Sequence, residues 1–175
     1  MPLPTWVPGE VLASADVNSY FVPTAVVKPS TTARASNTTL TADPALSITL
    51  AAGGLYEIRC MIFYNGANAA GYLSWDWTVP STGFFVYEAL YAIEGGGGDQ
   101  GYQIGTIAGG YNAASTVNGP AWTSGTSQAW CAWMTGIAGG GTGGAMTFNW
   151  AQTASNGTAT SVQQNSYIVA TRIAT

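Results

Sequence analysis

The chain has 175 residues, of which 47% are hydrophobic and only 7% are charged, with a net charge of −4 and no histidine. A chain of this length buries roughly 70% of its extended surface, so we expect one domain with one core that needs no metal or disulfide. Its cations, Lys28, Arg34, Arg59 and Arg172, form no basic stripe, which argues against nucleic acid as a partner.

Residues 1–23 differ from the rest of the chain. Prolines bracket this segment, and Ser14 within it is a candidate N-cap for a short helix. A helix of about two turns is not stable alone in water, so we expect it to dock on a partner. The apolar side chains proposed for that attachment surface are Trp6, Val11, Leu12, Val17, Tyr20 and Phe21. The sequence therefore predicts an attachment arm at 1–23 and a separate domain at 24–175.

No targeting or membrane segment is predicted. The first residues lack the basic flank and long apolar run of a secretory signal. No stretch approaches about 18 uninterrupted apolar residues, the length that a membrane helix needs. We expect a protein that is made in a cytoplasm and has no membrane partner.

From residue 24 onward, the hydrophobic period is two. Leu46, Ile48 and Leu50 alternate with hydroxyl residues, which predicts a half-buried strand. Residues 55–64 are apolar on both faces apart from two charges, which predicts a central strand covered on both sides, by its own domain or by another subunit. No helix of ordinary length fits after residue 23.

The remaining strands follow in chain order. Residues 73–79 and 84–91 are predicted to be neighbours in a meander or Greek key, and the glycine-rich third quarter is predicted to hold only short strands between turns. The last three predicted strands are 127–137, 145–152 and 166–173, and the final one is expected inside a sheet because so apolar an edge would aggregate. About eight strands in one domain predict an all-β fold, a β-sandwich of the jelly-roll type.

Catalytic chemistry is poorly supported. Without histidine, the Ser/His/Asp and Cys/His triads and the common zinc sites are unavailable. Cys60 and Cys131 are expected to be reduced thiols in apolar strands. A cross-strand pair of Asp76 and Glu88 would resemble a glycosidase site, but alternation favours two solvent-facing residues. We therefore expect no enzyme activity, no catalytic residue, no cofactor and no metal.

The tryptophans offer a second alternative. Exposed aromatic rings form sugar-binding faces, so the residues near the glycine-rich loops are candidates for binding a host glycan. The alternating pattern instead favours packing in the core or at a subunit interface. The candidates for either role are Trp122, Trp130 and Trp150, with Trp133 beside them.

Several segments resemble known virion proteins. Residues 6–18 resemble the short module, W-x-x-G-E-V-L-T-A-x-D-x-N, that begins many structural proteins of tailed bacteriophages. Residues 148–173 are similar to the closing strands of small jelly-roll virion proteins from phages that infect actinobacteria, and residues 37–46, 50–57 and 75–80 also fit that group.

The resemblance implies a capsid decoration or head-fibre protein on the outer surface of the virion, made in the host cytoplasm. Such a protein docks on the major capsid protein, or on another virion protein, through its N-terminal arm. It presents its jelly roll outward, often as a homotrimer, and stabilises the shell. The alternative is a tail-fibre or minor tail protein that binds a host-surface glycan.

Overall fold

A computed structural model describes residues 8, 9, 11, 14, 22–65, 73–92, 100–108, 117, 118 and 130–174. Within these residues the chain forms twelve β-strands. They are β1 (Thr24–Val27), β2 (Thr32–Arg34), β3 (Thr41–Leu50), β4 (Leu55–Asn65), β5 (Leu73–Thr78), β6 (Phe84–Ala92), β7 (Gln100–Ala108), β8 (Val117–Asn118), β9 (Trp130–Gly139), β10 (Gly144–Gln152), β11 (Thr160–Val162) and β12 (Tyr167–Ala174).

The strands form two antiparallel sheets. The small sheet has the order β3–β10–β5–β8, and the large sheet has the order β1–β12–β4–β9–β6–β7, with β11 pairing with both β4 and β2. From β3 to β10 the pairings are nested, because β6 pairs with β7, β5 with β8, β4 with β9 and β3 with β10. This part of the chain is therefore one long hairpin folded over so that its paired strands lie alternately in the two sheets.

The core lies between the two sheets, which makes the fold a β-sandwich. Trp77 of the small sheet meets Phe85 of the large sheet edge-on, with ring centroids 5.4 Å apart, and also contacts Phe148 at 5.1 Å. The alternating residues Leu46, Ile48 and Leu50 of β3 are buried there, as their period of two predicts. Aromatic contacts of this kind contribute about 0.5–1.5 kcal/mol each beyond the burial of their area.

Two predictions about strand order meet different outcomes. The prediction that residues 73–79 and 84–91 are neighbouring strands was wrong, because β5 lies in the small sheet and β6 in the large one. The turn after Pro80 takes the chain from the small sheet to the large one. The prediction failed because alternation shows which face of a strand is buried but not which strand lies beside it. The interior position of the last strand is confirmed, because β12 lies between β1 and β4.

The glycine-rich regions divide into turns and strand. The prediction of only short strands in the third quarter was wrong for residues 100–108, which form the nine-residue strand β7. The later glycine run does form a turn, as predicted, and it meets two other turns at one end of the sandwich. Gly140 donates its N–H to the carbonyl of Gly54 at 2.8 Å, and Thr142 donates its N–H to Ser81 at 3.0 Å. Backbone hydrogen bonds therefore join three turns here.

Both thiols are free, as expected, with Cys60 buried and Cys131 half-buried. Burial raises the pKa of each thiol, and the nearby Cys131 raises that of Cys60 further. A raised pKa in the folded state gives a stability contribution that is complete below the unfolded thiol pKa, about 8.5, and is lost as pH rises above it.

We therefore expect the Cys60→Ala variant to lose less stability than the parent protein between pH 8 and pH 10. The free energies of unfolding of the two proteins should diverge by about 1 kcal/mol per pH unit, because in this range the Cys60 thiol ionises only in the unfolded chain, where it is exposed. Urea unfolding at a series of pH values measures it. If the free energies of unfolding of the two proteins changed equally with pH, the raised pKa of Cys60 would be contradicted.

Candidate interaction surface

The outer face of the small sheet is polar. Its side chains hydrogen-bond to one another across the strands: the hydroxyls of Ser47 and Thr147 lie 2.8 Å apart, and Asn149 donates from Nδ2 to the Thr78 hydroxyl at 2.9 Å. Thr49 beside them is exposed. An antiparallel sheet that faces water on one side has this composition.

The outer face of the large sheet exposes large apolar side chains beside a few charged ones. Val86, Leu90, Trp133 and Ile137 are 43, 44, 41 and 36% exposed, which is high for residues of this size inside a sheet. Val86 is in register with Ile137, and Leu90 with Trp133, so the four form two apolar pairs on either side of the Glu88–Thr135 pair. We call these four residues the β6–β9 patch. An antiparallel sheet that faces water on one side usually carries polar residues there.

An open depression of about 460 Å³ lies within this face. Its lining includes Glu57, Val86, Glu88, Thr135 and Ile137. It forms because Thr135 is shorter than Trp133 and Ile137, which precede and follow it on the same side of β9. Two carboxylates therefore border a hollow whose other walls include the apolar side chains of Val86 and Ile137. One of them, Glu57, is ion-paired with Arg59 at 2.7 Å.

A buried charge cluster joins the two sheets at the edge where residues 22–27 enter the domain. Lys28, directly after β1, contacts Asp43 of β3 at 2.7 Å, and both residues are at least 98% buried. Between its pairs Ala42–Asn149 and Ser47–Thr147, β3 bulges away from β10, and this bulge holds Asp43. Pro44 has no N–H to donate, and the free N–H groups of Ala45 and Leu46 both bind Asp43 Oδ1.

Trp150 and Arg34 complete the cluster. Trp150 donates its indole N–H to Asp43 Oδ2 at 3.0 Å, and the guanidinium of Arg34 lies 4.0 Å from the centre of the Trp150 ring. Arg34 also donates to the carbonyls of Thr41, Ala42 and Trp150. Burial lowers the pKa of Arg34, and the charge of Asp43 opposes that shift. Every carboxylate oxygen here is occupied by protein donors, so the cluster is structural.

The cluster decides the place of Trp150. Its side chain is 0% exposed, so it packs in the core, as the alternating pattern favours, and offers no ring to a glycan. Trp130 begins β9 opposite Tyr64, and Trp122 lies outside the described residues. Trp133, which belongs to the β6–β9 patch, is 41% exposed.

The carboxylate pair required by the glycosidase alternative does not form. Asp76 points outward from the small sheet and Glu88 outward from the large sheet, so they lie on opposite surfaces of the sandwich. Burial raises the pKa of Asp76, while its hydrogen bond from the Trp77 N–H lowers it. Among the described residues, no group of three Cys, Asp or Glu side chains lies close enough to bind a metal ion.

The attachment arm is described at few positions. Val11 is 89% exposed, whereas the other proposed attachment residues lie outside the described residues: Trp6, Leu12, Val17, Tyr20 and Phe21. The predicted short helix also falls outside them apart from Ser14. In the part of the chain that the structure covers, no helix has the length and apolar character to cross a membrane.

No protein-family model matches this sequence, and no curated protein matches it either. Among solved structures, the chain is similar to one described as "Structure of infectious bursal disease virus Gx strain". The identity is 11% and the TM-score 0.21, with 98% of this chain and 46% of that chain covered. This chain therefore spans about half the length of that viral chain. The strand pairing itself shows that the fold is an all-β antiparallel sandwich.

Proposed function

We propose that this protein is a non-enzymatic structural component of the virion of a tailed bacteriophage, a capsid decoration or head-fibre protein. Its residues 1–23 dock on the major capsid protein, and residues 24–175 form an outward-facing jelly roll that associates as a homotrimer and stabilises the shell. The observation that carries this proposal is that the outer face of the large sheet exposes large apolar side chains, whereas the outer face of the small sheet is polar. Such a contrast is typical of a protein built for contact.

The nested strand order supports the jelly-roll assignment. A jelly roll is two sheets made from an eight-stranded chain wrapped as a folded hairpin. The eight strands β3 to β10 pair as first with eighth, second with seventh, third with sixth and fourth with fifth. The strands β1, β2, β11 and β12 extend the large sheet beyond β4.

The point of entry of the N-terminal segment supports attachment through it. Residues 22 and 23 lead into β1, the outermost strand of the large sheet, and β1 is followed at once by the buried Lys28. The segment therefore joins the domain at an edge of the sandwich. The buried Lys28 lies just after this point, at the end of β1.

The test of attachment uses particles assembled with altered protein. Protein lacking residues 1–22 is expected to keep its β-sheet circular dichroism and to be absent from purified particles. In the full chain, Leu12→Asp should reduce incorporation at least about 10-fold, because it places a charge in an apolar contact. Thr49→Asp, on the polar face, is the matched control and should leave incorporation unchanged. Normal incorporation of the truncated protein would overturn the proposal.

A second candidate function is that of a tail-fibre or minor tail protein that binds a host glycan. The observation that favours it is Trp133, an exposed ring two residues from a hollow bordered by Glu57 and Glu88. Subunit counts from cryo-electron microscopy of particles separate the two functions. Density repeated over the whole shell supports decoration, and a few copies confined to the tail support the alternative.

A further inference from the structure

We propose that the β6–β9 patch is the surface through which copies of this chain bind one another. The inference rests on the proposed function in one respect, since it names the subunit contact of the oligomer proposed there. Its partner is a second copy of the same chain, and the contact is made by the outer face of the large sheet.

The size of this face matches what a stable subunit contact needs. The adjacent strands β12, β4, β9, β6 and β7 have 8 to 11 residues each. At about 4.8 Å between strands and 3.3 Å per residue, they present a face of about 700 Å². A stable protein–protein interface buries about 800 Å² on each partner. The face therefore has the area of one complete interface, and the patch lies over its β6 and β9 strands.

The charge on the face fits a copy of itself. Glu57 and Arg59 form a 2.7 Å ion pair, and Glu88 is the other charged residue that borders the depression. A strongly acidic or basic partner would find no matching field there. A second apolar face of the same kind matches it, because burial of apolar area dominates association when charges are few.

The shape of the face provides a projection and a hollow side by side. Trp133 and Leu90 stand opposite each other across β6 and β9, and the depression begins at Thr135, the next residue on that side of β9. The Trp133 ring of one copy therefore has a hollow of about 460 Å³ to enter on the other. A surface that carries both parts can contact the next copy head to tail, so that three copies close a ring about a three-fold axis.

The test is the association state of the purified full-length protein. Sedimentation equilibrium over a range of concentrations is expected to give a mass three times that of the 18.0 kDa chain. Val86→Asp and Leu90→Asp each place a charge in the patch, at positions already 43 and 44% exposed in the single chain. Each variant should raise the dissociation constant about 100-fold.

Two controls separate loss of contact from loss of fold. Thr49→Asp adds the same charge to the outer face of the small sheet and should associate as the parent protein does. Urea midpoints at a concentration where all proteins are monomeric should agree for the four proteins. Unchanged association of both patch variants, or a monomeric parent protein at all concentrations, would overturn the inference.

The outcomes also distinguish this inference from the proposed function. A monomeric parent protein that still enters particles, and whose patch variants do not, would mean that the patch contacts the capsid protein. Patch variants that associate normally but no longer bind host cells would assign the patch to a glycan. Either result overturns self-association, and the first leaves the virion role standing.

Discussion

Replacing Asp43 by alanine is expected to lower the free energy of unfolding by about 3–5 kcal/mol, the usual cost of breaking a buried ion pair by removing one partner. The ammonium of Lys28 would keep its place at 1% exposure without a counter-charge. The indole N–H of Trp150 and two backbone N–H groups of the β3 bulge would lose their acceptor as well. Urea or guanidinium unfolding measures the loss.

Two companion variants give this result its meaning. Lys28→Met combined with Asp43→Leu should be less destabilised than Asp43→Ala, because no lone charge remains buried. Glu57→Gln removes the exposed ion pair with Arg59 and should change stability by less than about 1 kcal/mol. If Asp43→Ala lowered the free energy of unfolding no more than Glu57→Gln does, the buried charge cluster would not hold the two sheets together.

Gly141→Ala is expected to cost about 3 kcal/mol. The residue has φ of 49°, in the left-handed region, where a side chain costs roughly 1–2 kcal/mol. The added Cβ would also meet backbone atoms of the neighbouring turn, with the carbonyl carbon of Thr82 2.6 Å away. That contact adds a further 1–3 kcal/mol of overpacking, about the cost seen in well-packed cores. Thermal or denaturant unfolding measures the change.

Gly157→Ala is the matched control. A Cβ at residue 157 would meet no atom within 4 Å, and its φ does not lie in the left-handed region. This substitution should be neutral or stabilise by up to about 1 kcal/mol, because it restricts only the unfolded chain. Equal effects at both glycines would show that the three joined turns do not constrain residue 141.

The sequence pattern predicted burial far better than pairing. Alternation identified the buried faces of β3 and β5, because a period of two follows directly from strand geometry. It did not identify the partner of β5, since Trp75 and Trp77 would be buried equally well in either sheet. The position of β12 was predictable for a different reason, which is that an apolar strand is unfavourable at an edge.

The exposure of the β6–β9 patch could have been predicted from the sequence of β6, although this strand does not alternate between apolar and polar residues. Residues 84–91 are apolar at nearly every position, and only Glu88 interrupts them. Strands that are apolar on both faces are typical of sheets that are covered on both sides. The Lys28–Asp43 pair had no comparable signal, because a lysine and an aspartate in different strands meet only after the two sheets have packed.

The nested pairing sets an order on folding. The hairpin of β6 and β7 closes a short loop, whereas Thr41 of β3 finds Trp150 of β10 only after almost the whole domain has been synthesised. Loop closure costs conformational entropy before distant contacts repay it, so such topologies fold in milliseconds to seconds. The chain is therefore expected to fold from the β6–β7 hairpin outward, with β3 added after β4 and the β1–β12 pair, which joins Thr24 to Ala170, formed last. Until these strands have paired, their apolar faces are exposed and can bind the wrong partner. We therefore expect a slow refolding rate for this strand topology.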